Sequence, residues 1–405
     1  VRAADGGVLF DGTITATERA WQHDGVHTVT ARATDRLAPL RDECRSGSES
    51  GDALAIAERV AARHGLELQT NQTAPGAPVT GQFGETDLAL LRRLLGRSGL
   101  HLVVRGQVLH VFDLAGIGDA VDLRIGRELL SLSVDERADL HEAQVSVAGW
   151  SLDEATATSS GQHPQRTGWV LGPDAAGALS RAISDRRTQL RTVAEGVARG
   201  DSRLAPGCRV RVGAAEQLHE PLLVTEVEHR VDARRGHRTR FATGPIDPEP
   251  SRPAASWTLG EVVDVTDPQH AGRVMVALAA HGGQETHWLP VVLPGVGAGK
   301  GVVALPDVGD RVVVLGELDD PGTGLVLGGI LGRTPVAGDP VVGDRTKRTV
   351  LRLPGGGTVE IDDDAGRIRV DNGRGSRLEL GPDRALLHAA GDLEIAAPGK
   401  RLLLR

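Results

Sequence analysis

Short apolar pairs recur along residues 349–405, each made of two apolar residues separated by one polar residue. Both side chains of such a pair lie on the same face of a β-strand. Turn sequences such as PGGG, NGRGS and GPDR separate the pairs. The pattern predicts six short strands with one narrow apolar face and a charged opposite face. The pairs are Leu351/Leu353, Val359/Ile361, Ile368/Val370, Leu378/Leu380, Leu393/Ile395 and Leu402/Leu404.

These predicted strands have no second layer of the same chain to pack against. Isolated short hairpins are marginally stable, and repeat units that cannot bury their faces alone need neighbours. Three copies wound around one axis would bury the twelve paired residues in a β-prism with a charged exterior. The sequence therefore predicts a homotrimer with closed symmetry, whose core is formed by these pairs.

Residues 1–245 mix strand and helix patterns. Helical spacing of apolar residues predicts helices over Ala53–His64, which ends at Gly65, over Glu85–Ser98, with Thr86 as N-cap, and over Asp174–Leu190. Short strands lie between them, including a hairpin across Arg105-Gly106. This region is predicted to be an α+β domain.

Residues 257–334 show no helical period. Six apolar stretches (GEVVDV, GRVMVAL, THWLPVV, GVVALP, DRVVVLGEL and GLVLGGIL) predict short strands, and this number suits a small closed barrel of the OB type. Proline-rich residues 246–256 and the short segment 335–348 are predicted linkers on either side of the barrel. The predicted fold is mainly β, with an α+β domain before the barrel and the strand repeat 349–405 after it.

Charge argues against a nucleic-acid partner. The chain carries a net charge of −8. Residues 256–334 contain four basic and nine acidic residues, two tryptophans and no phenylalanine. OB folds that bind oligonucleotides combine a basic groove with stacking aromatic side chains. The barrel lacks this combination, so a structural role is the preferred interpretation.

Motifs for catalysis and metal binding are incomplete. The VGAGKG sequence before Val302 lacks the first glycine and the Ser/Thr of a phosphate-binding loop, and His141-Glu142 lacks the second histidine of a zinc protease. Residues 362–364 are three aspartates, for which a solvated turn is preferred and a calcium site is the alternative. Cys44 and Cys208 are predicted to be two small buried thiols. We therefore predict no catalytic residues, no metal site and no cofactor.

The most specific motifs lie in Gly260–Gly332. They read GEVVDVTDPQHAGRVMV, WLPVVLP, GKGVVALPDVGDRVVV and DDPGTGLVLGGILG. They resemble the barrel signature of the hub-spike proteins of contractile injection systems, a family that includes the VgrG proteins of type VI secretion and the late-control D baseplate proteins of phages. LFDGTITA and ETDLALLRRLLGRSGLHLVV resemble the hub domain of that family more loosely, and residues 349–405 resemble its triple-stranded β-helix needle.

This resemblance implies a domain order: a hub in residues 1–245, an OB barrel in 257–334 and a trimeric intertwined β-helix (β-prism) spike in 349–405. It also implies a structural function. A homotrimeric central spike would cap the inner tube, contact baseplate proteins and puncture the target envelope, touching the target membrane transiently. A PAAR-type tip protein is expected to dock at the C-terminal end, on Gly399, Lys400, Arg401, Leu402, Leu403, Leu404 and Arg405.

The chain also departs from the family pattern. Its N-terminus looks short, the about 15 residues between barrel and needle are expected to hold no inserted hydrolase, and no fused toxin domain is expected after the needle. The alternatives are a cell-wall hydrolase on a β-rich scaffold and an OB-fold nucleic-acid binder.

With no secretory signal peptide and no apolar span, the protein is expected to assemble in the bacterial cytoplasm as part of a phage tail-like particle, with release as the alternative.

Overall fold

A computed structural model of the chain describes residues 1–4, 6–138, 145–151, 154–160, 166–170, 173–213, 220–245, 255–317, 320–335, 340–396 and 398. The chain divides into two compact units, Val1–Gly329 and Ile330–Arg405. Strands predominate in the described residues, and their helices lie in the first unit. This agrees with the predicted mainly β fold that opens with an α+β region.

The N-terminal part of the first unit contains seven strands and three helices. Strands β1 and β2 form a two-stranded antiparallel sheet with exposed side chains. Strands β3 and β5 pair with each other, and β4, β7 and β6 form a three-stranded sheet. The bounds are β1 Thr13–Trp21, β2 His27–Thr34, α1 Pro39–Asp42, β3 Cys44–Asp52, α2 Ala53–Arg63, β4 Glu67–Gln69, β5 Gly76–Thr86, α3 Asp87–Arg97, β6 His101–Arg105 and β7 Val108–Phe112.

Helices α2 and α3 lie where the sequence predicts them. The Asp52 carboxylate accepts hydrogen bonds from the first amides of α2, and the Thr86 hydroxyl accepts one from Ala89 N. Such caps satisfy amides that have no partner inside the helix. After α2, Gly65 adopts a φ of +64° and ends the helix. The apolar faces of both helices form one core cluster, which includes Ile56, Val60, Leu88, Leu91 and Leu95.

A second group of sheets follows in the same unit. Its largest sheet has the order β16-β17-β13-β9, and smaller sheets have the orders β15-β14-β8 and β11-β10-β12. The helix predicted over Asp174–Leu190 is present as α4, and β16 and β17 form an antiparallel hairpin. The bounds are β8 Val121–Arg124, β9 Leu129–Glu136, β10 Val147–Ser151, β11 Thr156–Ser159, β12 Arg166–Val170, α4 Pro173–Arg191, β13 Thr192–Arg199, β14 Arg209–Gly213, β15 Leu222–Leu223, β16 Glu226–Asp232 and β17 Gly236–Ala242.

The barrel completes the first unit. Its five strands are ordered β20-β19-β18-β21-β22 and enclose a core of aliphatic side chains. The strands are β18 Ala255–Asp264, β19 Met275–Leu278, β20 Gln284–Glu285, β21 Arg311–Glu317 and β22 Asp320–Gly329. The core residues are Val262, Val274, Val276, Leu278, Leu289, Val312, Val314 and Val326. This buried set contains no aromatic residue, as expected from the low aromatic content.

Two predicted barrel strands differ from the structure. THWLPVV contacts the barrel through the single bridges Val274–Leu289 and Val291–Val326 rather than through a continuous ladder. GVVALP, residues 301–306, joins no strand ladder among the described residues. An apolar pattern predicts that a segment can form a strand, but the ladder also requires a neighbour with free backbone groups.

The second unit contains a short hairpin and a five-stranded sheet. The hairpin, β23 Val341–Val342 and β24 Arg345–Thr346, lies within the segment 335–348 that was predicted to be a linker. The remaining strands form an antiparallel sheet in which each strand pairs with the next one in the chain. These strands are β25 Arg348–Arg352, β26 Thr358–Asp362, β27 Arg367–Asp371, β28 Arg377–Leu380 and β29 Ala385–His388. We call them the C-terminal sheet.

Four of the six predicted strands of the repeat are present as β25 to β28. The fifth strand, β29, lies between the fourth and fifth predicted pairs, and its Leu387 pairs with Leu378 of β28. Leu393 and Ile395 are exposed and lie outside any strand, contrary to the prediction for that pair. Leu402 and Leu404 lie outside the described residues, as do all seven residues predicted to dock a tip protein.

Candidate assembly interface

Most apolar residues of the C-terminal sheet lie on one face, in two cross-strand rows. Residues that lie directly opposite each other on neighbouring strands, and residues two apart along one strand, are on the same side of a sheet. One row consists of Leu351, Val359, Val370, Leu378 and Leu387, and the other of Thr349, Ile361, Ile368, Leu380 and Ala385. Seven of the twelve predicted core residues therefore share one face, and Leu353 follows directly after β25.

This apolar face is exposed in the single chain. Ile368 in the central strand is 44% exposed and Leu378 in the next strand is 41% exposed. Monomeric proteins rarely leave a contiguous apolar surface of this kind uncovered, and such surfaces mark interaction sites. The face is therefore a candidate interface.

The opposite face of the same sheet carries charges of alternating sign. One row across the strands reads Val350, Glu360, Arg369, Glu379 and Leu386, and another reads Arg348, Asp362 and Arg367. The Arg367 guanidinium donates to Glu360 at 3.0 Å, and the Arg369 guanidinium donates to Asp371 at 2.7 Å. The first of these bonds and the pairing of Arg348 with Asp362 join neighbouring strands.

The most buried carboxylate of this face is Asp362, which is 2% exposed. It accepts hydrogen bonds from the Ala365 amide at 2.9 Å and from Arg348 Nε at 2.8 Å. These two donors hold the pKa of the Asp362 carboxyl below its usual range. The Arg369 guanidinium and then the Gly373 amide lower the pKa of Asp371 in the same way. The charged face thus contains several ion pairs within the sheet, whereas the apolar face has no covering layer among the described residues of the second unit.

The predicted calcium alternative concerns residues 362–364. Asp362 is occupied by the donors just described, and the Asp364 carboxylate pairs with the Lys347 ammonium at 2.5 Å. Two of the three carboxylates therefore already have protein donors. Within the described part of the chain, no three His, Cys, Asp or Glu side chains cluster as a metal site requires.

Turns at one end of the C-terminal sheet contact each other. Gly373, between β27 and β28, adopts a φ of +69°, and a Cβ at this position would lie 2.7 Å from the backbone of Gly356 in the turn between β25 and β26. Only glycine combines this conformation with so close an approach. The glycine at position 373 of the NGRGS turn is therefore required by the backbone conformation and by the close contact with Gly356.

The DPQHAGRV part of the barrel signature forms the loop between β18 and β19, and an ion pair within this stretch stabilises the loop. Asp267 and Arg273, both in this stretch, form a buried ion pair with an Arg273 Nη2 to Asp267 Oδ1 distance of 2.8 Å. Asp267 also accepts hydrogen bonds from the amides of Gln269 and Ala271. The Arg273 guanidinium is the main cause that holds the pKa of Asp267 well below its usual range. This carboxylate organises the whole loop between β18 and β19.

The barrel is attached to the N-terminal region by polar and aromatic contacts. Arg97 at the end of α3 pairs with Glu317 of β21 at 2.8 Å, and both side chains are largely buried. The Phe83 ring meets the His281 ring edge-to-face with centroids 4.9 Å apart, and Phe83 also packs on the barrel core. The Gln284 amide donates to the Gly47 carbonyl. These contacts fix the barrel against β3, β5 and α3.

The remaining candidate sites have simple structural explanations. The VGAGKG sequence is the tip of a hairpin, where Gly297 pairs with Lys300. His141 and Glu142 lie outside the described residues. Cys208 is buried as predicted, but the prediction for Cys44 is wrong. Cys44 is exposed because it begins β3 on the outward side of a two-stranded sheet.

No helix of the described residues is long and apolar enough to span a membrane.

Comparison with known families identifies the barrel. Residues 258–331 match the family model of the type VI secretion system/phage-baseplate injector OB domain. This confirms the resemblance drawn from the barrel motifs. No curated protein matches the chain.

Comparison with solved structures extends the similarity beyond the barrel. The chain is similar to the E. coli c3393 protein, a component of the type VI secretion system with structural similarity to the T4 bacteriophage tail proteins gp27 and gp5. The TM-score is 0.53 at 15% sequence identity, with 82% of this chain and 89% of that chain covered. The chain thus shares the fold of this secretion component over most of its length.

Two phage-type proteins are also similar over shorter stretches. The 43 kDa tail protein of prophage MuSo2 from Shewanella oneidensis has a TM-score of 0.44 at 16% identity, covering 56% of this chain and 76% of that one. The tail protein from Neisseria meningitidis MC58 has a TM-score of 0.44 at 16% identity, covering 59% and 80%.

Proposed function

We propose that the protein is the homotrimeric central spike and baseplate hub of a contractile injection system. The observation that carries this proposal is the distribution of side chains on the C-terminal sheet. Its apolar face is exposed, and its charged face contains ion pairs between residues of the same sheet. Three such sheets, one from each chain, would form the three sides of a prism with their apolar rows inside. The charged rows would then form its outer surface.

In this arrangement the three sheets would pack side by side, rather than intertwine as the family resemblance implies. The described strands β25 to β29 each pair with the next strand of the same chain. Contact between copies would then come chiefly from the apolar rows rather than from backbone hydrogen bonds. Axial load would be carried by stacked, hydrogen-bonded strands within each chain and by the shared apolar core.

The other parts of the proposal rest on the fold. Residues 1–245 would form the hub that caps the inner tube and contacts baseplate proteins, residues 257–334 the OB barrel, and residues 349–405 the spike that punctures the target envelope. Gly399–Arg405 would dock a PAAR-type tip protein. The similarity to a type VI secretion component supports this assignment, and so does the family of the barrel.

The mass of the purified protein tests the proposal. We expect light scattering to give three times the 42.5 kDa of one chain. A truncated chain that ends at residue 348 is expected to be monomeric, because it lacks the apolar rows. A full-length chain that remains at 42.5 kDa at micromolar concentration would refute the trimeric spike. A truncated chain that remains trimeric would place the main interface elsewhere.

A further inference from the structure

The barrel carries a second set of exposed aliphatic side chains, in the segment 292–308, which we call the arm. The only charged residues of the arm are Lys300 and Asp307. Its exposed side chains are Val292, Val296, Val302, Val303, Leu305 and Val308. Val303 is 71% exposed, so its side chain makes little contact with its own chain. Six exposed aliphatic residues in one loop exceed the scattered exposure normal for a monomer.

The backbone of the arm is ordered but incompletely paired. The Val302 amide donates to the Pro294 carbonyl at 3.0 Å, which closes the hairpin. Within the described residues, no acceptor binds the amides of Val303, Ala304 or Leu305. This is the segment GVVALP, whose sequence predicts a strand. The arm therefore has the composition of a sheet element and lacks a neighbour in its own chain.

The same barrel exposes a different apolar surface on its outer side. Trp257 and Leu259 of β18 point outward, with Trp257 71% exposed, and Leu327 of β22 is exposed as well. We call these three residues the Trp257 surface. Because the arm and the Trp257 surface are both exposed in one chain, neither covers the other.

Two different apolar patches on one subunit favour a head-to-tail contact between copies. Such a contact, in which the arm of one subunit meets the Trp257 surface of the next, closes into a ring under threefold symmetry. Tryptophan in an apolar patch is also a residue type that contributes strongly to protein interfaces.

The short connection between the barrel and the C-terminal sheet indicates that each patch contacts a neighbouring copy of this chain. Only 18 residues, 330–347, connect the end of β22 to the start of β25. A segment of this length spans at most about 60 Å. If three C-terminal sheets associate, as proposed above, each barrel is held near two other barrels at a high effective concentration.

We propose that the arm of each barrel packs on the Trp257 surface of the neighbouring copy, forming a collar of three barrels. This inference rests on the proposed trimer and extends the interface between copies from the C-terminal sheet to residues 257, 259, 292–308 and 327. It assigns to the arm and to Trp257 a role in holding the barrels together.

Cysteine alkylation tests the arm. In a Cys44→Ser chain the remaining native thiol, Cys208, is buried, so Val303→Cys supplies the accessible thiol. We expect maleimide to react roughly tenfold more slowly with this thiol in the assembled protein than in the same chain carrying Ile368→Asp, which separates the copies. Val231→Cys is the matched control, since Val231 is 65% exposed on β16 and should react equally in both backgrounds.

A second variant tests the partner surface. Adding Trp257→Asp to the Val303→Cys chain is expected to restore the fast reaction while the C-terminal sheet keeps the mass trimeric. Equal rates for the introduced thiol in the assembled and Ile368→Asp backgrounds, with the wild type trimeric, would overturn the collar and leave the spike intact. Slow reaction that Trp257→Asp does not change would overturn the Trp257 surface as the partner. A monomeric wild type would overturn both the proposed spike and the collar.

Discussion

Ile368→Asp is expected to convert the trimer into a 42.5 kDa monomer. Ile368 lies between Ile361 and Leu380 in one of the two apolar rows, on the central strand of the C-terminal sheet. Three copies would bring three carboxylates into one apolar interior, where each unpaired charge costs several kcal/mol. In the separate chain the same position is 44% exposed, so the sheet itself should tolerate the substitution. Light scattering at micromolar concentration measures the result.

Val350→Lys is the control for this variant. Val350 belongs to the opposite face of the same sheet and lies across from Glu360. A lysine there would remain at the outer surface with a carboxylate beside it, so the trimer should persist. Ile368→Lys, in contrast, should dissociate the trimer as Ile368→Asp does, because both place a charge in the interior. If Ile368→Asp stays trimeric and Val350→Lys becomes monomeric, the assignment of inner and outer faces is reversed.

Asp267→Ala is expected to destabilise the barrel without separating the copies. The substitution removes the carboxylate that pairs with the buried Arg273 guanidinium and that accepts from two loop amides. Breaking one side of a buried ion pair typically costs about 3 kcal/mol or more. Hydrogen exchange of the core amides Val274 and Val276 should therefore accelerate by about two orders of magnitude. Asp264→Ala is the control, since Asp264 at the end of β18 accepts from the Thr266 amide in an exposed hydrogen bond.

The pH dependence of the barrel follows from the same residue. The folded state lowers the pKa of Asp267, so its contribution to stability is present above the ordinary pKa of an aspartate, about 3.9, and is lost as the pH falls below that value. We expect the wild-type barrel to lose stability below that pH, and an Asp267→Asn barrel to be less stable throughout but less sensitive to acid. An unchanged acid dependence in Asp267→Asn would show that other carboxylates dominate.

Local signals in the sequence predicted the helices well. Asp52 and Thr86 stand directly before apolar residues at helical spacing, and Gly65 follows the first of these helices. Each of these signals acts through hydrogen bonds or backbone conformation within a few residues. No distant part of the chain is needed to specify them, which explains why α2 and α3 agree closely with the prediction.

Features that depend on distant neighbours were predicted less well. The alternation of the C-terminal repeat correctly placed seven residues on one face, but Leu387 was missed, although the sequence Ala-Leu-Leu-His supplies the same spacing through Ala385 and Leu387. The GVVALP segment has a strand-like pattern, yet among the described residues it joins no ladder. The Asp267–Arg273 pair lies in a motif that the resemblance identified, but its role depends on burial, which the spacing of two residues does not reveal.

Consecutive strands of the C-terminal sheet pair with each other, so the sheet can fold before any copies of the proposed trimer associate. Polypeptides that wind around one another must fold together, whereas a meander needs only contacts between residues close in sequence and can form on each nascent chain. Subunits of the proposed trimer could therefore associate after synthesis, without winding around one another. Until they meet, each presents an uncovered hydrophobic surface, so prompt assembly or a chaperone would protect newly made protein from precipitation.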